Sequence, residues 1–124
     1  MITVAVVQAR LGSTRLPGKV LMPIGAYPAL YHVVKRTQAA GYPMVLAIPY
    51  YDRPLVDFAK EHSIPCYQGP LDDVLARYTE AAEAYEADII IRITGDCPLV
   101  DPGIVQQVVQ YVQDGLPFAS NVWP

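Results

Sequence analysis

Short apolar runs alternate along this chain with longer stretches in which apolar residues recur every three or four positions, the two periods that separate buried strands from amphipathic helices. Ile2 to Gln8 predicts a first strand. After a loop, Leu30, Val33, Val34 and Thr37 share one face of a helix that begins near Ala29 and is stopped by Gly41. Met44 to Ile48 predicts a second strand, Pro54 to His62 a short helix with a core stripe of Leu55, Phe58 and Ala59, and Ile64 to Tyr67 a third strand. The clearest helical period follows, in Leu71, Val74, Leu75, Tyr78, Ala82 and Tyr85. Asp88 to Thr94 predicts a fourth strand. Asp101 before Pro102 predicts an N-cap and first helical position, with Ile104, Val105, Val108 and Val112 as the next stripe, and Phe118 to Val122 begins a fifth strand.

Short connections and the order βαβαβαβαβ predict an α/β fold, a doubly wound, mainly parallel sheet with helices on both faces. With 124 residues the chain is expected to form one domain, residues 1–124, whose size suffices for a core without disulfides or zinc. Cys66 and Cys97 have neither a CxxC partner nor a nearby histidine, which excludes a zinc finger or disulfide scaffold and fits a reducing cytoplasm. The longest uncharged stretch, Thr37 to Tyr51, is cut by Pro43 and Pro49 and is too short to span a membrane. The apolar start lacks the basic leader of a signal peptide. A net charge of -3 and a pI near 5.2 argue against nucleic acid held on a broad basic face.

Charge is distributed unevenly. Arg10, Arg15, Lys19, Lys35 and Arg36 give residues 1–51 a charge of +5 with no acid, whereas residues 52–124 carry -8. Three of those cations lie in one Gly- and Pro-containing loop, where they can converge on a single anion. Ligands of open parallel sheets bind at the carboxyl ends of strands where the strand order reverses, so two segments matter most. The first strand runs into Gln8, Ala9, Arg10, Leu11, Gly12, Ser13, Thr14, Arg15, Leu16, Pro17, Gly18 and Lys19, and the fourth into Thr94, Gly95, Asp96, Cys97 and Pro98. If those strands are neighbours, both endings share one crevice.

The first loop combines glycines that permit close backbone approach, hydroxyls on Ser13 and Thr14, and three cations, a set suited to a polyphosphate. It is not a Walker loop, because five residues separate Gly12 from Gly18 and Val20 follows Lys19, and no GxGxxG is present. Asp96, placed after a strand of isoleucines, can hold Mg²⁺ against phosphate oxygens, or serve as a turn aspartate bonded to nearby amides.

The segments QARLGSTRLPGK, PLDDVLARYTEAA and RITGDCPLVDP together resemble the cytidylyltransferase family that activates acidic sugars such as acylneuraminate and 3-deoxy-manno-octulosonate, nearest its spore-coat polysaccharide branch. The resemblance spans essentially the whole chain and implies a Rossmann-like fold of the nucleotide-diphospho-sugar transferase type. It implies transfer of CMP from CTP to an acidic sugar with release of pyrophosphate. Arg10, Ser13, Arg15 and Lys19 match the family's triphosphate loop and Asp96 its magnesium aspartate. The expected catalytic groups are Arg15, Lys19 and Asp96. The expected nucleotide contacts are Gln8, Ala9, Arg10, Leu11, Gly12, Ser13, Thr14, Arg15, Lys19, Arg77, Thr94 and Gly95. In-line phosphoryl transfer needs no covalent nucleophile, so cations on the leaving pyrophosphate and a bridging metal supply most of the catalysis.

Other residues carry competing readings. Arg77 matches a family position near the nucleotide, yet Asp73 and Glu80 at helical spacing explain it equally well as a surface pair. Asp72 and Asp73 suit the dipole of a helix start. Arg92 faces either the pocket or a structural partner, Cys97 reads as buried filler, and His32 and His62 read as structural or exposed. Where relatives carry Gly-Lys-Pro before the first helix, this chain has Ala26, Tyr27 and Pro28. Family members run to roughly twice this length, and their second half carries another metal-binding aspartate, much of the sugar pocket and the dimerisation surface. The chain is therefore expected to be the nucleotide-binding half, with room for a homodimer only through surfaces outside the usual one. The alternatives are a non-catalytic nucleotide-binding or assembly module, and a related guanylyl- or uridylyltransferase.

Overall fold

The computed structural model of the chain describes residues 2–11, 18–96 and 99–120. Among the described residues, six strands and four helices follow in the order β1 (Thr3–Gln8), a 3-10 turn (Lys19–Leu21), β2 (Pro23–Ile24), β3 (Tyr27–Pro28), α1 (Ala29–Ala39), β4 (Met44–Pro49), α2 (Arg53–Glu61), β5 (Cys66–Gly69), α3 (Val74–Ala84), β6 (Ile89–Thr94) and α4 (Pro102–Gln113). The main sheet is parallel, in the order β5-β4-β1-β6. The chain winds outward from β1 through β4 to β5 and then returns to place β6 on the other side of β1, so the strand order reverses between β1 and β6. This is the doubly wound architecture that the alternation predicts.

Both faces of the sheet are covered, which is why its central strands are continuous apolar runs rather than alternating ones. All six residues of β4 are buried. On one face, Ala5, Val7, Leu46, Ile48 and Ile93 pack with Leu30, Val33 and Val34 of α1 and Leu55, Phe58 and Ala59 of α2. On the other, Val4, Val6, Val45 and Ala47 pack with Tyr78 and Ala81 of α3. Burying a side chain of this size contributes about 1.5–3 kcal/mol, so these two clusters fix which strand faces which helix.

Several expectations need correction. The third strand is Cys66–Gly69 rather than Ile64 to Tyr67. Ile64 is buried against the α2 face, and its N–H closes that helix by donating to the Ala59 carbonyl, so its apolar character serves a helix end. The third helix begins at Val74, and Leu71 and Leu75 of the expected stripe are exposed while Arg77, Tyr78, Ala81 and Ala82 are buried. In α4 the buried position is Val109; Val105 packs, partly buried, against the core as its stripe predicts, while Ile104, Val108 and Val112 line an open groove. Phe118 to Ser120 form no strand and Phe118 is exposed, because the chain leaves α4 through Gly115 (φ 111) and Pro117 without pairing with β6. The remainder of that expected strand, residues 121 and 122, lies outside the described residues. The small β2–β3 hairpin escapes sequence patterning, since prolines occupy one position in each two-residue strand. No helix among the described residues is long and apolar enough to cross a membrane.

Candidate functional site

The carboxyl ends of β1 and β6 lie side by side, with Val7 opposite Ile93 and Gln8 opposite Thr94. Beyond them the Gly95 N–H donates to the Gln8 carbonyl at 2.7 Å, which ties the two chain segments together after the strands end. Glycine is required there by proximity: a Cβ at this position would lie 2.8 Å from the Gln8 carbonyl oxygen and 3.0 Å from the Ala9 Cβ. The resulting crevice, of about 220 Å³, is lined by Gln8, Ala9, Arg10, Lys19, Val20, Thr94, Gly95 and Asp96. Both strand endings singled out from the sequence therefore meet at the point of strand-order reversal.

Lys19 reaches the crevice from the 3-10 turn that follows Gly18, whose left-handed φ of 74 suits a residue without a Cβ. Val20, buried against the α1 face, holds this turn in place. Lys19 Nζ donates to Asp96 Oδ2 at 3.2 Å, and both side chains remain partly exposed. Burial pushes the Asp96 carboxyl up, but hydrogen bonds from Lys19 and Thr94 and the charge of Lys19 outweigh it, leaving the group below the ordinary carboxylate value. The aspartate is thus held ionised and solvent-accessible.

The base of the cationic loop is closed by backbone, with the Gly18 N–H donating to the Leu11 carbonyl at 2.9 Å. Gly12, Ser13, Thr14 and Arg15 lie outside the described residues, as does Cys97. Arg77 sits on the other side of β1, and its surface-pair reading does not survive: the side chain is fully buried, and neither Asp73 nor Glu80 pairs with it among the described ion pairs. Its Nη1 donates to the Pro70 and Leu71 carbonyls at 2.9 and 2.7 Å, while Nε and Nη2 are buried without partners among the described residues. Burial and then the nearby charge of Arg10 hold its guanidinium below the usual range. Gly69 makes this packing possible, since a Cβ there would lie 2.8 Å from the Arg77 Cγ.

Remaining candidates have local roles. Asp73 caps α3 by accepting from the Ala76 N–H, and Asp101 caps α4 by accepting from Gly103 and Ile104. Arg92 stacks over the Tyr78 ring at 4.4 Å, and the Tyr78 hydroxyl donates to the Ile93 carbonyl. His32 contacts the Ile24 carbonyl at 2.8 Å, and His62 packs against Tyr31 and Phe58. Among the described residues no group of three or more His, Cys, Asp or Glu side chains could hold a metal unaided. Sequence reasoning missed Asp52, whose Oδ2 accepts from the Leu11 N–H at 3.3 Å. Its position before Arg53 and Pro54 looks like an ordinary helix cap, and nothing local signals a bond across 41 residues.

A parallel sheet with a polar, cation-bearing crevice at its reversal point is the arrangement in which open α/β sheets take ligands. The chain belongs to the cytidylyltransferase family, whose profile matches residues 4–121. It is 36% identical over 113 residues to the spore coat polysaccharide biosynthesis protein SpsF of Bacillus subtilis (strain 168), covering 85% of this chain and 47% of the relative. A cytidylyltransferase structure from Leptospira borgpetersenii superposes with a TM-score of 0.88 at 33% identity, covering 94% of this chain and 51% of that one. The structure of CMP:2-keto-3-deoxy-manno-octonic acid synthetase complexed with CTP gives a TM-score of 0.85 at 30% identity, covering 93% of this chain and 48% of that one. The chain spans about half the length of the relatives it matches.

Proposed function

We propose that the chain is a single nucleotide-binding domain of a cytoplasmic cytidylyltransferase that passes CMP from CTP to a hydroxyl of an acidic sugar for surface polysaccharide synthesis. The observation that carries this reading is the approach of Lys19 to Asp96, 3.2 Å apart in the crevice between β1 and β6. It pairs a phosphate-binding cation with an ionised carboxylate where doubly wound folds take nucleotides. The family membership and the CTP-bound state of one solved relative support it.

In the proposed reaction the sugar oxygen bonds to the α-phosphorus, the bond from that phosphorus to the bridging oxygen of the β-phosphate breaks, and the hydroxyl proton passes to water. Arg10, Arg15 and Lys19 hold the β- and γ-phosphates and neutralise the departing pyrophosphate. Gln8, Ala9, Leu11, Gly12, Ser13 and Thr14 frame the phosphates, with Thr94 and Gly95 closing the opposite wall. Arg77 is fully buried and does not line the crevice, so it supports the site through its bonds to the Pro70 and Leu71 carbonyls instead of contacting the nucleotide. Mg²⁺ typically takes one or two carboxylates and fills its other positions with phosphate and water, so the single accessible carboxylate of Asp96 fits it. Asp96 would hold that ion, which would supply positive charge against the phosphates.

Calorimetric titration with CTP, UTP and GTP, with and without Mg²⁺, tests the reading. Lys19→Ala is expected to weaken CTP binding about tenfold or more, the loss of a charge-assisted contact. Asp96→Asn is expected to remove the magnesium dependence. Unchanged CTP affinity in Lys19→Ala overturns the site, and preference for UTP or GTP moves the chain to another nucleotidyltransferase class. Pyrophosphate release with acidic sugars separates transfer from a module that only binds, a distinction made pertinent by the chain's half-length match to its relatives.

A further inference from the structure

We propose that Asp52 is a positioning residue that latches the base of the cationic loop, so that the loop's grip on phosphate depends on a side chain outside the crevice. This rests on the reading of the loop as a triphosphate site.

Three of the four α-helices have an aspartate at the N-cap, and two behave as expected: Asp73 bonds the Ala76 N–H at 2.9 Å and Asp101 bonds the Gly103 N–H at 2.8 Å. An aspartate at this position normally satisfies an otherwise orphaned N–H of its own helix. Asp52 makes no such bond to α2. Its Oδ2 instead accepts from the Leu11 N–H at 3.3 Å, and its Oδ1 is buried without a hydrogen-bond partner among the described residues. The carboxylate gives up its local cap and leaves one oxygen unsatisfied, a combination that its own helix does not explain.

The turn leading to Asp52 is unusual in the same sense. Tyr51 has φ 63, a left-handed conformation costly for a residue with a Cβ, and its side chain is 96% exposed. No burial of the Tyr51 ring compensates for that backbone. The turn's product is the orientation of Asp52 toward the end of β1.

Leu11 is the residue through which such a latch acts. Its N–H is held by Asp52, while its carbonyl accepts from Gly18, the residue next to Lys19. One peptide on each side of Leu11 therefore fixes where the loop leaves β1 and where it returns toward the crevice. Release of the N–H frees the loop base without touching Arg10, Lys19 or Asp96.

The test compares Asp52→Ala, Asp52→Asn and the control Asp101→Ala, reading amide exchange at Leu11 and Gly18 and calorimetric affinity for CTP. Asp52→Ala is expected to speed Leu11 exchange and raise the CTP Kd, each by about tenfold, because the amide loses an ionised acceptor. Asp52→Asn retains a carbonyl oxygen and is expected to restore both to within about threefold of the parent chain. Asp101→Ala loses a helix cap and leaves both unchanged. Parental Leu11 exchange in Asp52→Ala overturns the latch, and faster exchange with parental CTP affinity overturns the positioning role. Exchange and Kd that rise equally in Asp101→Ala reduce the effect to general loosening and overturn it as well. Should the parent chain bind no CTP, the proposed function fails, while inorganic triphosphate affinity and Leu11 exchange still decide the latch.

Discussion

Two cavities flank β6, and they differ in kind. At its carboxyl end lies the small crevice of about 220 Å³, built from Arg10, Lys19, Thr94 and Asp96 and tied shut behind by the Gly95–Gln8 hydrogen bond. Along its free edge runs a groove of about 1080 Å³, lined by Leu75, Ile90, Ile104, Val108, Val112 and Phe118. One strand thus presents chemistry at its tip and apolar packing surface along its side. The crevice needs close backbone approach and few side chains, whereas the groove lies between α4 and β6, the edge strand of the sheet among the described residues.

The largest expected effect falls on the crevice. In Gly95→Ala the new methyl group meets the Gln8 carbonyl oxygen at 2.8 Å, and both partners are backbone or short side chain, so neither yields cheaply. The expected cost is about 1–3 kcal/mol in urea unfolding, the range for overpacking a tight contact. The same substitution pries the ends of β1 and β6 apart and is expected to abolish measurable CTP binding. Full stability and full affinity in this variant show that the strand ends are not held by the contact described.

A middle-sized effect belongs to the groove wall. Asp101→Ala removes acceptors for the Gly103 and Ile104 N–H groups at the start of α4, and about 1 kcal/mol of stability should be lost with them. CTP affinity is expected to stay at the parental level, because α4 contributes nothing to the crevice lining. A joint loss of stability and affinity marks the two cavities as coupled through β6.

The contrast also explains what the sequence makes legible. β1, β4 and β6 announce themselves through apolar runs and the reversal-point site through cations gathered among glycines, whereas β5, only partly buried, starts two residues later than its apolar signal. Lys19 and Asp96 are 77 residues apart, yet Asp96 follows the end of β6 and Lys19 belongs to the loop that leaves β1, so their meeting becomes legible once β1 and β6 pair. Asp52 and Gly69 are illegible for the opposite reason: the first acts through a bond across 41 residues that mimics a cap, and the second through the space it leaves for Arg77. Arg77 misleads because helical spacing to Asp73 and Glu80 predicts a surface pair, whereas the Pro70 and Leu71 carbonyls draw it inward. The groove residues mislead because an apolar stripe signals contact but not its completion. Ile104 and Phe118 match a core pattern and remain 40% and 79% exposed.

The smallest effect tests that incomplete contact directly. Ile90 lies on the free-edge strand and is 45% exposed, so Ile90→Ser forfeits only part of the roughly 1.5–3 kcal/mol that full burial of such a side chain contributes. A loss below about 1 kcal/mol is expected, with CTP affinity unchanged and a lower uptake of an apolar dye by the folded chain. A core-sized loss shows that in solution the groove is filled and Ile90 buried, and the distinction between a finished crevice and an open apolar flank disappears. The measurement is informative at this position because Ile90, in register with Val4, projects to the α3 side and lines the groove.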